Sequence, residues 1–176
     1  MGTKVGSYRK RRTTISPYVP RMRKIRHIKM GRNKVKDIFS LLDVIHEAFS
    51  RPEYTPGNGI THCNAFTSEV VSAMGFKAME GLLANSIEDL LSRSDQWSEV
   101  DLTKVQDLSN AGTLVVLGAH GEPHGHVCIG CPGKSKFSGR WGQVPTVASV
   151  GAQNMIRGVN WVFSDMPRCW AYRPTL

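Results

Sequence analysis

The first 34 residues contain no aspartate or glutamate, yet they hold twelve lysines and arginines, from Lys4 to Lys34. They also lack a steady apolar period: Ile15, Val19, Ile25 and Ile28 are scattered among charges, and Pro17 and Pro20 interrupt them. A stretch this polar cannot bury enough apolar surface to fold alone, so 1–34 reads as a basic, flexible or partner-ordered arm. No apolar run approaches the roughly 20 residues of a membrane helix, so no membrane span is expected. The apolar middle region of a secretory signal is missing near Met1, and Gly6 stands where N-myristoylation requires Ser or Thr. Internal repeats are lacking too. With four cysteines (63, 128, 131 and 169) and no export signal, free thiols are expected rather than a disulfide framework.

What remains after residue 34 is different in kind. It keeps 11 of the 23 basic residues against all 14 acidic ones, a net charge of −3 within a chain of +9. At 176 residues and 40% apolar content, the chain fits one globular domain with a real core, placed over 35–176. Val35, Ile38, Phe39, Leu42, Ile45 and Phe49 mark one face of a helix that Arg51-Pro52 closes, with His46 at its border. A loop over 51–60 carries Tyr54 and the turn-rich Pro56-Gly57-Asn58-Gly59. Phe66, Val70, Val71 and Met74 then recur at helical spacing until Gly75, so a second helix opens near Cys63. Ser86 is expected to cap a third helix, with Asp89 at its third position and Ile87, Leu90 and Leu91 inward, broken at Ser94–Trp97. Residues 105–111 suggest another short helix or turn.

The second half is strand-like. Thr113–Gly118 is a short apolar run, His126–Gly130 follows a polar loop, and Val144–Val150 is a third candidate. Lys134–Gly142 reads as a turn-rich excursion, and Trp161–Phe163 with Cys169–Tyr172 as a last hairpin or edge. Helices first and strands afterwards is the order of an α+β fold.

Chemistry concentrates at two points. Cys63 falls in a helix first turn exposed after a loop, where unpaired N–H groups and the helix dipole favour a thiolate. His126 opens a strand, where it is held firmly and can serve a thiol on a neighbouring helix as base. An imidazole base needs an orienting group on its other ring nitrogen, and Gln143, Ser149, Gln153 and Asn154 are the candidates. The Cys63 N–H plus one donor, Tyr54 or His62, would meet an oxyanion. The rival is zinc at His124, His126, Cys128 and Cys131. Strand alternation points Cys128 and Cys131 to opposite faces and Cys169 is alone, so no metal and no cofactor are expected.

Thr61-His62-Cys63-Asn64-Ala65-Phe66, Ala84-Asn85 and Gly125-His126-Val127 carry a resemblance, joined by Val147–Gly151 with Asn154 and Gly158-Val159-Asn160-Trp161. Over residues 36–172 the chain resembles papain-like peptidoglycan-cleaving enzymes, the cysteine, histidine-dependent amidohydrolase/peptidases (CHAP) and their NlpC-like relatives. The resemblance implies helices packed on a small antiparallel sheet, with Cys63 and His126 catalytic. Ser149 or Asn154 would be the third member, because asparagine is expected where Ser149 stands. Tyr54, His62, Asn64 and Asn85 would serve the oxyanion or substrate. It further implies cleavage of an amide bond in cell-wall peptide by an amidase or endopeptidase of a phage, as endolysin or virion part. Such a protein is made in the host cytoplasm and acts on bacterial peptidoglycan. The arm would hold an anionic envelope polymer, other virion proteins or, more weakly, nucleic acid. The alternative expectation is a non-catalytic structural virion or assembly protein with the same shape.

Overall fold

The computed structural model describes residues 38–57 and 62–173, with side chains from Leu41 onward. The basic arm expected over 1–34, and the start of the first expected helix, lie outside the described residues. Within them the chain is α+β, with four α-helices and a six-stranded antiparallel sheet.

Helix α1 spans Ile38–Phe49 and buries Leu41, Ile45 and Ala48, one face at helical spacing. Helix α2 spans Cys63–Ala73 and buries Phe66, Val70 and Val71 completely. Gly75 ends it in the left-handed region (φ 107°), where a side chain would be strained. Its N–H donates to Ser72 O at 2.9 Å, and the Phe76 N–H reaches back to Val71 O at 3.1 Å. Those two bonds satisfy carbonyls that the helix end leaves open. Phe66 locks the two helices together, with the rings of Phe49 and Tyr54 edge-on to it at 5.6 and 5.8 Å.

Helix α3 spans Ala84–Arg93, so Ser86 is not its cap. The Ile87 N–H already bonds Leu83 O at 2.9 Å, which puts Ser86 inside the first turn, behind an extended Leu83. Ile87 and Leu91 are buried as the apolar spacing requires. Strand β1, Trp97–Glu99, forms where only a helix break was expected. Helix α4 spans Leu102–Asn110 and starts before residue 105, because the Asp101 carboxylate accepts the Thr103 N–H at 2.8 Å.

The sheet runs β1–β8–β2–β3–β6–β7, from β2 (Val115–Ala119), β3 (His126–Gly130), β6 (Thr146–Ser149), β7 (Met155–Gly158) and β8 (Arg168–Tyr172). A separate ribbon pairs β4 (Lys136–Ser138), inside the expected turn-rich excursion, with β5 (Gly142–Val144). The strand expected over Val144–Val150 is thus divided, and only Thr146–Ser149 joins the sheet. The expected closing hairpin is corrected. Val159–Trp161 is a short 3-10 turn, and β8 inserts between β1 and β2. Cys169, Trp170 and Ala171 are buried on both faces, as a central strand demands, whereas β7 exposes Ile156 and Arg157 and takes an edge.

Two apolar layers result. Val116, Val127, Ile129, Ala148 and Trp170 face α1, α2 and α3. Val115, Leu117, Cys128, Val147 and Cys169 face the other way, onto Val105 of α4 with Val159 and Phe163. Phe66→Ala should therefore destabilise the domain by about 3–5 kcal/mol. Phe137→Ala, at a ring 80% exposed, should stay within about 0.5 kcal/mol. Urea titration measures both, and equal effects would contradict this core.

Candidate active site

Cys63 is the first residue of α2, preceded by His62 at φ −113° and ψ 26° with no side-chain cap. The helix start thus keeps donors that its own backbone cannot satisfy. The thiol is not exposed as the sequence suggested: Cys63 is only 4% accessible and packs in the layer of α1, α2 and α3. Helix α2 lies against β3, the strand that His126 opens.

His126 is half-buried, and its Nε2 lies 2.9 Å from Ser149 Oγ. The register explains the meeting. Ile129 pairs with Ala148 and Gly130 with Val147, so Ser149 falls level with Cys128, on the same face as His126 and two residues along. Ring contact with Phe163, edge-on at 5.4 Å, closes another side of the imidazole. Burial holds the His126 pKa below its ordinary value, which favours the neutral ring. Either tautomer can make the Ser149 bond; the one with Nε2–H donating leaves a lone pair on Nδ1.

The other expected residues hold different posts. Asn154 is not on the imidazole: its Nδ2 donates to Tyr54 O and its Oδ1 accepts the Gly151 N–H at 3.3 Å. The Tyr54 hydroxyl donates to Glu69 Oε2 at 2.7 Å, and burial followed by that bond raises its pKa. Arg51 holds the same carboxylate at 2.6 Å. Asn64 donates to Leu82 O at 2.8 Å, while Asn85 is bonded to Gly121. The donors of Tyr54, Asn64 and Asn85 are therefore engaged within the fold. His62 makes no side-chain hydrogen bond among the described residues, and its ring leans on Tyr54 at 6.2 Å. Gln143 and Gln153 are exposed.

These contacts tie the two halves of the candidate site. His62, next to Cys63, touches Tyr54; Tyr54 is bonded by Asn154; Asn154 holds Gly151; and a Cβ on Gly151 would lie 3.6 Å from His126 Cε1. Among the described residues no hydrogen bond joins the Cys63 thiol to the His126 ring. The thiol belongs to one apolar layer and the imidazole leans on Phe163 of the other, so the pair can meet only around the end of β3. Phe163 had no signal in the sequence beyond an apolar run, and Gly151 none beyond its place in the Val147–Gly151 segment of the resemblance. A cleft of about 600 Å³ opens beside Asn64 between α1 and α2, lined by neither Cys63 nor His126.

All four thiols are free and buried. Cys128 and Cys131 enter opposite layers, as strand alternation required. Burial, then the neighbouring Cys169 and Cys63, drives the Cys128 thiol well up. Burial pushes Cys131 up to about 11, and burial with Asp101 and Glu99 pushes Cys169 up to about 12. These three are poor nucleophiles at neutral pH.

In comparisons with known proteins, no family model matches the chain and no curated protein is significantly similar to it.

Ser149→Ala should cost about 1–3 kcal/mol at neutral pH, since it strips the half-buried Nε2 of its partner. Because the folded ring resists protonation, its contribution is complete above the ordinary value of 6.5 and is lost as pH falls through the lower folded pKa. Urea midpoints measured across that range should fall toward acid in the native chain and less steeply in His126→Gln. Equal slopes would rule out His126 as a source of the acid sensitivity.

Proposed function

We propose that the chain is a papain-like cysteine hydrolase that cleaves an amide bond in the peptide part of bacterial peptidoglycan. The observation that carries this reading is the 2.9 Å bond from His126 Nε2 to Ser149 Oγ, beside a strand on which the Cys63 helix packs. A nucleophile at a helix start, a base on a strand and an orienting hydroxyl on the next strand form a relay. In it, the Cys63 sulfur attacks the peptide carbonyl as its proton passes to His126 Nδ1. The tetrahedral oxyanion is met by the Cys63 N–H and a second donor, for which His62 is the candidate. The proton then returns to the leaving amine, and water hydrolyses the thioester by the reverse path. Ser149 fixes the ring through Nε2; Asn154 braces the loops in front of it. The Cys–His approach needs a closure around the end of β3 when substrate binds.

The setting that suits this chemistry is a phage lytic protein, either an endolysin or a virion part. The basic arm would then dock on an anionic envelope polymer or on other virion proteins. Its twelve positive charges without an acid support that role through screened attraction.

A second reading has its own observation. The Cys63 thiol is 4% accessible and is not bonded to His126, as expected of a structural virion or assembly protein that keeps the shape without turnover. Digestion of purified peptidoglycan, followed by mass analysis of the fragments, separates the two and names the scissile bond. The hydrolase releases new amino groups, with turnover abolished in Cys63→Ala and lowered about 100-fold or more in His126→Ala. Full activity in Cys63→Ala would end the cysteine mechanism. A structural protein gives no fragments, and its buried Cys63 resists alkylation in the native chain.

A further inference from the structure

The connection between β2 and β3 is six residues long, so no tight turn sets the position of His126 at its far end. The ladder ends at the Ala119–His126 pair, and terminal pairs open easily unless something beyond them is held. Helix α3 supplies that hold. Asn85 Nδ2 donates to Gly121 O at 3.0 Å, and Asn85 Oδ1 accepts the Gly121 N–H at 3.3 Å. One side chain thus exchanges both bonds with one loop residue, as a neighbouring strand would.

The same amide fixes the end of the loop. A Cβ on Gly125, the residue before His126, would overlap Asn85 Oδ1 and stand 2.7 Å from Ala119 O. Only glycine lets the chain pass under the amide into β3. Two more residues of that helix face act alongside. Glu88 sits over Gly118, where a Cβ would lie 2.8 Å from its Cγ, and Asp89 reaches His120 at 3.7 Å. Positions 85, 88 and 89 form one helical stripe, and it meets the hairpin at 118, 120, 121 and 125.

We propose that Asn85 is a positioning residue for His126, acting through Gly121 and Gly125 to fix where β3 begins. This rests on reading Cys63 and His126 as the reacting pair, and it differs from the oxyanion or substrate role that the resemblance implied for Asn85. Asn85 then moves turnover and not substrate affinity.

The test compares Asn85→Ala, Asn85→Asp and Gly125→Ala in the full chain. For each, kcat and KM on peptidoglycan, the exchange rate of the Gly121 N–H and the NMR titration of the His126 ring are measured. Asn85→Ala should lower kcat roughly 100-fold, the scale of a misplaced catalytic group, with little change in KM. Its Gly121 N–H should exchange faster, and its His126 ring should titrate nearer the ordinary value as water reaches it. Asn85→Asp retains the acceptor for the Gly121 N–H and loses the donor, so it should fall between, and it serves if the alanine variant does not fold. Gly125→Ala should lower kcat similarly, and the double variant should be no worse than the more damaging single one, because both act on one contact. Faster Gly121 exchange with unchanged kcat and unchanged His126 titration would overturn the proposal. If the wild type cleaves nothing, the hydrolase reading has failed by itself. The tie from Asn85 to His126 then stands or falls on exchange and titration alone.

Discussion

Strand β3 is constrained on both faces at once, and the rest of the domain is arranged around that constraint. Val127 and Ile129 must fill the layer under α2, while Cys128 fills the layer under α4. The register cannot slip by one residue without placing every one of these side chains on the wrong side. That fixed register brings Ser149 of β6 to His126, because the pairing of Ile129 with Ala148 leaves the hydroxyl on the imidazole's face. The histidine–serine contact is thus a consequence of core packing several residues away. A substitution in the core can reach the site by this route without touching it.

The alternation of β3 was legible in the chain, and so was the helix that Cys63 opens. Phe66, Val70 and Val71 left one face to bury, and Gly75 left one place to stop. The strand bounds His126–Gly130 follow from an apolar run between a glycine-rich loop and a glycine. The zinc alternative was weakened by the facing of Cys128 and Cys131, and the two thiols do enter different layers. What stayed illegible has a common cause. β1, β4, β5 and β7 are three or four residues long, too short for a period, and their pairing is set by partners distant in sequence. β8 reads as an edge because it is last, yet its insertion between β1 and β2 depends on the whole sheet.

The candidate site shows the same division. Residue type and spacing named Cys63, His126 and Ser149, but could not choose Ser149 over Asn154, since both lie in the segment after β3. Geometry separates them: one hydroxyl meets the ring, while one amide joins Tyr54 to Gly151. Tyr54 was a candidate oxyanion donor, and the resemblance implied oxyanion or substrate roles for Asn64 and Asn85 too. Each makes a hydrogen bond to a backbone or carboxylate group inside the fold. A buried amide left without partners costs free energy, so a polar residue near a site is first spoken for by the backbone around it.

Burial acts on two titratable side chains bordering the β2–β3 hairpin, and it acts on them in opposite senses. It raises the Glu88 pKa, with His120 and Arg168 working against it, and it lowers that of His126. Both shifts disfavour charge. Glu88 Oε1 is buried over Gly118 with no hydrogen-bond partner among the described residues, and that burial favours the neutral acid. Its contribution to stability is complete below its ordinary value and is lost as pH rises through the folded pKa, the reverse of His126. Under the hydrolase proposal, burial that favours the neutral imidazole disfavours a standing thiolate–imidazolium pair. The proton then moves as the sulfur attacks, and the developing charge is met by the helix start instead of by water. The dry surroundings that disfavour charge at rest also strengthen every dipole that faces the transition state. Under the same proposal, burial of Cys63 is compatible with reactivity provided that His126 is held in place, the role proposed for the Asn85–Gly121 contact of α3 with the hairpin.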